Sequence, residues 1–360
     1  MSDALAAALA AVVAPDAGAG RAVQARLDLK TKPRGSLGGL ERLAVRIAGI
    51  QRSESPSLGR PVVIVCAADH GVAAEGVSAF PSSVTAQMVA NYAAGGAAVS
   101  VLARRAGAAL VVVDCGVAEP LPVQGVLDRR IGPGTASMLR GPAMTREQAI
   151  EALETGIALA HEQLGEAGVV ALGEMGIGNS TAAAALTCAL TGAAPAQACG
   201  RGTGLDDEGL AHKVDVVTWA LEINGLGDRE AGGVRGASAA LGVLAAVGGF
   251  ELGVLAGIAI GAAGRGVPVL VDGYPASAAV LVAAALAPEL PHSLIAAHRS
   301  AEPGHRIVLA ALGLEPLLDL ELRLGEGSGA ALALPLLAAA LAILDEMATF
   351  ESAGVDDSGR

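Results

Sequence analysis

Two short stretches set glutamates among unusually small neighbours. LGEMGIGNST, residues 172–181, places Glu174 ahead of Gly176 and Gly178, and LRLGEGSGAA, residues 322–331, places Glu326 between Gly325 and Gly327. Each reads Leu-Gly-Glu, then small residues, then a helix start. A carboxylate so flanked can face a ligand without steric cover, and two in one chain strengthen the case for a site. The free N–H groups of a helix start attract anions, and glycine lets the backbone come close. Asn179 and Ser180 stand where the first of these helices would begin. The stretch has no G-x-x-x-x-G-K-[ST] match, so it is no Walker A loop, and it lacks the glycine spacing of a dinucleotide site. An ordinary glycine turn, with Asn179 or Ser180 as helix cap, is the alternative reading.

A second glycine segment, CGRGTGLDDEGLAHK (199–213), offers a backbone nest at Gly200, Gly202 and Gly204. Lys213 adds a point charge suited to phosphate. The Asp206–Asp207 pair follows glycines and leads into a helix, so capping is expected rather than metal-pyrophosphate binding. In AAHRSAEPGHR (296–306), His298 and His305 lack carboxylate or thiolate ligands at matching spacing and read as structural histidines. Ser300 is a reasonable phosphate donor. No Ser–His–Asp or Cys–His arrangement follows from the spacing.

The elements that must hold these residues are short β-branched runs ending at polar or glycine-rich turns: 61–71, 109–116, 168–176, 266–274, 292–300 and 317–327. Nearly continuous apolar strands separated by alanine-rich segments predict an α/β fold with a parallel sheet covered on both faces. Ligands of such sheets bind beyond the carboxyl ends of the strands. Asp69, His70, Asp114, Glu174, Asp272, His298, Ser300 and Glu326 all fall there. Thr145 with Gln148 predicts a capping box, and a helix is expected over 82–105, loosened by Gly95 and Gly96.

Composition narrows the classes. The 360 residues are 52% hydrophobic but 2% aromatic, with 49 glycines, so close approach of helices to the sheet is expected. A net charge of −12 argues against a nucleic-acid surface. The scattered cysteines Cys66, Cys115, Cys188 and Cys199 read as buried thiols of a reducing cytosol, a cytoplasmic location. The apolar N-terminus carries Asp3 and no early basic residue, so a helix is expected rather than a signal. The run from Gly327 to Leu344 contains Pro335 and is followed by Asp345 and Glu346, so it reads as a buried helix and not a membrane span.

Taken together, the blocks TKPRGSLGGLERLAVRIAGIQ (31–51), AADHGVAAEGVSAFPSSVTAQMV (67–89), GEMGIGNSTAAAAL (173–186), GRGTGL (200–205), VDGYPASAAVLVA (271–283), HRSAEPGH (298–305), LRLGEGSGAALALPLL (322–337) and MATFESAGV (347–355) resemble the nicotinate-nucleotide–dimethylbenzimidazole phosphoribosyltransferase family. They cover most of the chain from about residue 21, in the family's order. The resemblance implies a homodimer whose subunits join a Rossmann-like domain, 56–325, to a small helical domain made of 1–55 with 326–360. It implies transfer of phosphoribosyl from nicotinate mononucleotide to 5,6-dimethylbenzimidazole, yielding α-ribazole 5′-phosphate and nicotinate for the nucleotide loop of cobalamin. By position, Glu326 would be the general base and Glu174 would lie beside the base-binding pocket. The phosphate would meet backbone near Gly176, Gly178, Asn179 and Ser180 and at Gly202, Thr203 and Gly204, with Lys213 and Ser300. The acceptor pocket would draw on Phe80, Gln87, Met88, Met175 and Leu324.

That chemistry suits these residue types. The donor's pyridinium leaves as nicotinate, neutral at the ring nitrogen, so no metal or other cofactor is expected. Carboxylates stabilise the oxocarbenium-like sugar, and a glutamate lifted by burial removes the acceptor's proton. Some relatives carry serine where Phe80 precedes Pro81, and set a glutamine one position beyond Gln87. The acceptor is therefore less fixed than the reaction. Another benzimidazole, a purine or a phenol is the alternative, as is a non-catalytic nucleotide-binding paralogue.

Overall fold

Five of the six apolar runs become strands of one sheet, because β-branched residues pack well on a pleat buried on both faces. In the computed structural model, which describes residues 1–119, 121, 123–202, 204–227 and 236–356, they are β1 (Val62–Ala68), β2 (Ala109–Gly116), β4 (Val170–Met175), β5 (Val269–Val271) and β6 (Leu294–Ala296). A short strand the sequence reading missed, β3 (Val126–Asp128), adds an edge. The order is β3-β2-β1-β4-β5-β6, with every neighbouring pair parallel. This is the doubly wound order, and its switch point lies between β1 and β4.

Side chains alternate faces along each strand. Val63, Val65 and Ala67 of β1 join the core cluster on one face, while Val62, Ile64, Cys66 and Ala68 join the other. Over the second face lie the helices Arg146–Gln163, Asn179–Thr191, Phe250–Gly264 and Tyr274–Leu286. At Gly156 and Gly257 a Cβ would collide with the backbone of the opposing helix, so Arg146–Gln163 and Phe250–Gly264 touch main chain to main chain. The glycine- and alanine-rich composition is what permits that contact.

Over the first face lie Ala17–Asp28, Gly39–Gln51, Ser83–Ala93, Ala98–Arg105 and Ser328–Glu346. Helices from both chain ends thus share one apolar cluster with the sheet, and an antiparallel bridge Lys30–Thr349 ties the ends together. Ser328–Glu346 is, among the described residues, the one helix long and apolar enough to cross a bilayer. Here it packs on Gly39–Gln51, Ala98–Arg105 and β4.

Two expectations need correction. The run 317–327 forms no strand. Only Leu318 bridges, to His298, and the backbone leaves extended geometry at Glu321, φ 57°. The helix expected over 82–105 is two, Ser83–Ala93 and Ala98–Arg105, parted where Gly95 turns left-handed. The capping box at Thr145 and Gln148 and the cap at Asp206 are present, and all four cysteines are buried free thiols.

Candidate active site

Glu174 is the penultimate residue of β4 beside the switch point, paired in register with Cys66 of β1. Its side chain is buried and accepts a hydrogen bond from Asn179 Nδ2. Neither Asn179 nor Ser180 caps the helix that follows; Gly178 does, at φ 98°, which leaves the Asn179 amide to hold the carboxylate.

Glu326 reaches the same place by another route. Gly325, Glu326 and Gly327 are left-handed in succession, with φ 79°, 67° and 83°. Such a conformation costs a non-glycine residue about 1 kcal/mol, and it persists where the surroundings over-determine it. Here Asp272, just past β5, supplies that restraint. Its carboxylate accepts the N–H groups of Gly327 at 3.0 Å and Ala330 at 2.9 Å, capping Ser328–Glu346. Ser328 Oγ donates to the Gly325 carbonyl at 2.7 Å. Glu326 is thus not at a strand end but in a capped turn laid against β4.

The two glutamates and Asp272 share one poorly hydrated space. Burial, then Asp272, push Glu174 up to about 8, with Glu251 and Glu326 adding and Asn179 offsetting. Burial also raises Glu326, opposed by the Tyr92 hydroxyl and assisted by Asp272. That hydroxyl is itself buried without a well-formed hydrogen bond, and burial with the charges of Glu326 and Glu174 keeps it protonated. A carboxylate destabilised in this way is a stronger base than one in water.

Two buried histidines stand beside this space. His298 Nε2 stands 3.4 Å from Asp272 Oδ1, and although burial opposes its charge, Asp272 and the Arg299 backbone raise its pKa overall. Burial and the nearby His298 push His305 down to about 4. The neutral ring accepts the Ser300 N–H at Nδ1, 2.9 Å, so its proton is on Nε2, 2.9 Å from Ser277 Oγ.

A second pocket gathers the other sequence candidates. Lys213 is fully buried, and its Nζ donates to Ser180 Oγ at 2.9 Å and to the Gly200 carbonyl at 3.3 Å. Burial lowers its pKa, with Glu302 and Cys199 opposing. Gly202, at φ 50°, lies against Ser180 Oγ and Lys213 Nζ. Ser300 Oγ accepts the Glu302 N–H. Gly204 is left-handed at φ 114°, and Thr203 lies outside the described residues. Gly176 and Gly178 rest on the His70 ring, which is fixed from behind by Glu251 at 2.7 Å.

The acceptor-side candidates are looser. Met88 and Met175 are half-buried on the cluster that holds Val89 and Tyr92. Gln87 is off the buried stripe of its helix and exposed; Phe80 and Leu324 are 51% and 57% exposed. A groove of about 1200 Å³ is lined by Arg21, Arg42, Arg46 and Leu317 among others and contains neither glutamate. Sequence reasoning placed Asp272 only as a strand-end polar residue and missed Tyr92, Glu251 and Glu302. Tyr92 carried one weak signal, being one of two tyrosines in the chain.

A family model described as Phosphoribosyltransferase matches residues 12–355. The nicotinate-nucleotide–dimethylbenzimidazole phosphoribosyltransferase of Roseiflexus castenholzii is 52% identical over 342 residues, covering 94% of each chain. Its namesake in Desulforamulus reducens is 49% identical over 354 residues, covering 98% of each. The crystal structure of CobT from Thermus thermophilus superposes with a TM-score of 0.88 at 49% identity, over 95% of this chain and all of that one. With the doubly wound sheet, the paired carboxylates and these matches in agreement, the chain belongs to the nicotinate-nucleotide–dimethylbenzimidazole phosphoribosyltransferase family.

Proposed function

We propose that this chain transfers the phosphoribosyl group of nicotinate mononucleotide to a ring nitrogen of 5,6-dimethylbenzimidazole, giving α-ribazole 5′-phosphate and nicotinate in the assembly of the cobalamin nucleotide loop. The observation that carries this reading is the pair of buried, pKa-raised glutamates, Glu174 on β4 and Glu326 in the turn laid against it, brought together from distant parts of the sequence. The bond from C1′ to the pyridinium nitrogen breaks, and its electrons neutralise the departing nicotinate. The acceptor's unprotonated ring nitrogen attacks the opposite face of C1′, and the proton on its other ring nitrogen passes to Glu326. Asp272 places negative potential near the sugar as its positive charge grows, and Glu174, its pKa raised to about 8, offers a carboxyl oxygen dipole beside it.

Gly202, Ser180, Lys213 and Ser300, with the turn at Gly176 and Gly178, suit a single phosphomonoester, which backbone donors and one lysine can hold. Met88 and Met175 present apolar surface to a flat acceptor. The small domain is assigned to 1–55 with 326–360, supported by the packing of Ala17–Asp28 and Gly39–Gln51 on Ser328–Glu346. A homodimer is supported by exposed apolar residues such as Leu332 on that last helix and Val101 on its neighbour. A cytoplasmic location accords with four free thiols.

The test is to mix nicotinate mononucleotide with a panel of acceptors, resolving products by mass and anomeric form. Release of nicotinate with α-ribazole 5′-phosphate is expected from dimethylbenzimidazole. Absence of any nicotinate release would reject the transferase reading, and preference for a purine or phenol would replace the acceptor alone.

A further inference from the structure

Glu302 sits in the pocket assigned to phosphate, yet it carries the same charge sign as the ligand. It is nine-tenths buried at the start of the helix Pro303–Leu312. Its Oε1 accepts the Gly202 N–H at 3.1 Å, the donor that points into the nest. Its own N–H is held by Ser300 Oγ at 3.3 Å. Its Oε2 is buried with no hydrogen-bond partner and lies against Gly200, where no side chain would fit. Lys213, whose two hydrogen-bond acceptors are both neutral, has Glu302 as the first-ranked group opposing the loss of its charge.

Gly202 therefore already donates to a carboxylate, Lys213 feels its charge, and Ser300 Oγ holds the same residue's backbone N–H before any nucleotide arrives. A carboxylate and a phosphomonoester want the same donors, and like charges set side by side in a dry pocket cost several kcal/mol. One N–H cannot serve both well. We propose that Glu302 is an internal stand-in for the substrate's phosphate, which occupies the Gly202 subsite in the unliganded enzyme and is displaced when the nucleotide binds. It keeps a countercharge near the buried lysine while the pocket is empty. It also sets a threshold, since an anion must outcompete it to enter, and a doubly charged phosphate does so where a singly charged anion does not. The single hydrogen bond at Oε1 and the unpartnered Oε2 suit a side chain that has to leave. This inference rests on the phosphate assignment made above.

Inorganic phosphate and nicotinate mononucleotide are the probes, with binding to the full-length chain measured by calorimetry. Glu302→Gln keeps the shape and an acceptor for Gly202 but removes the charge. It is expected to bind inorganic phosphate roughly tenfold more tightly and to lower KM for nicotinate mononucleotide, because the opposing charge is gone. Unchanged or weaker phosphate binding by a folded Glu302→Gln would overturn the proposal and make Glu302 a clip between two loops. A crystal structure of the unmutated chain with phosphate supplies an independent answer that needs no variant. Glu302 Oε1 swung away from Gly202 supports displacement, and Oε1 still seated there beside the phosphate refutes it. Should the unmutated chain bind neither probe, and Lys213→Ala change nothing, the phosphate assignment itself has failed, which is distinguishable from either result for Glu302.

Discussion

Gly173 and Glu326 are in backbone contact: a Cβ on Gly173 would lie 2.5 Å from the Glu326 carbonyl oxygen. The converse also holds, since a Cβ on Gly325 would overlap Glu174 Oε1. Each Leu-Gly-Glu stretch thus offers its glycine as the seat for the other's glutamate. The repeated local pattern is a pair of complementary halves.

Gly173→Ala is expected to push the 325–327 turn off β4 and to cost about 1–3 kcal/mol, the range for overpacking a tight core. Turnover should fall at least a hundredfold, because an ångström of displacement at a reacting group costs that much. Thermal unfolding and initial rates read the two effects; a variant with both values close to the parent's would show that this contact does not set the glutamates.

Glu326→Gln removes the proposed base while keeping size and polarity. A decrease in kcat of about 10²–10⁴ is expected, the usual worth of a positioned general base. Calorimetric binding of nicotinate mononucleotide should be retained. If kcat holds, another group takes the proton.

The pH dependence of stability follows from Glu174, whose pKa rises from its ordinary 4.5 to about 8 on folding. Between those values the folded chain holds more protons than the unfolded one, so stability falls as pH rises through that window. Glu174→Gln is expected to flatten the decline between pH 5 and 8, recovering on the order of 2–4 kcal/mol at the alkaline end. Denaturant titrations at a series of pH values measure it, and parallel curves for the two proteins would rule out Glu174 as the source.

Asp272→Asn keeps one acceptor oxygen but turns an amide toward the N–H groups of Gly327 or Ala330. A loss of about 1–3 kcal/mol is expected from the unmatched donors. With that negative charge gone, Glu174 and Glu326 should ionise at lower pH, moving the acid limb of the kcat profile toward acid. A profile that stays in place would mean that Asp272 acts only as a helix cap.

Lys213→Ala is expected to raise KM for nicotinate mononucleotide by about ten- to a hundredfold with little change in acceptor KM. Lys213→Arg should not restore it, because the fork of a guanidinium does not fit a buried point-charge site. An equal effect on both substrates would indicate general damage to the pocket.

Much of this layout could be read from the chain alone. Strands β1, β2, β4, β5 and β6 were legible because both of their faces are buried, which leaves an unbroken β-branched signature. LLDLELRL carries the same apolar density but turns out of extended geometry at Glu321, a backbone event that composition does not encode. The edge strand β3 is too short for periodicity to register. Glu174, Glu326, Lys213 and Ser180 stood out by local motif. Tyr92, Asp272, Glu251 and Glu302 did not, because their significance is tertiary. Tyr92 looks like one more apolar residue of a helix, and Glu302 like the residue before a proline. Asn179 does begin its helix, but the alternative of it as the cap fails, because Gly178 takes that place and the Asn179 amide turns to Glu174.

The crowding of Glu174, Asp272 and Glu326 also bears on how turnover would be timed. On the proposed reading the proton stripped from the acceptor passes to Glu326, a buried carboxyl whose burial favours the protonated form, before it reaches the medium. Sugar transfer and acidification of the medium are then separate events, and an indicator dye in stopped flow would lag behind the appearance of nicotinate. The length of that delay measures how long the pocket stays closed around its products.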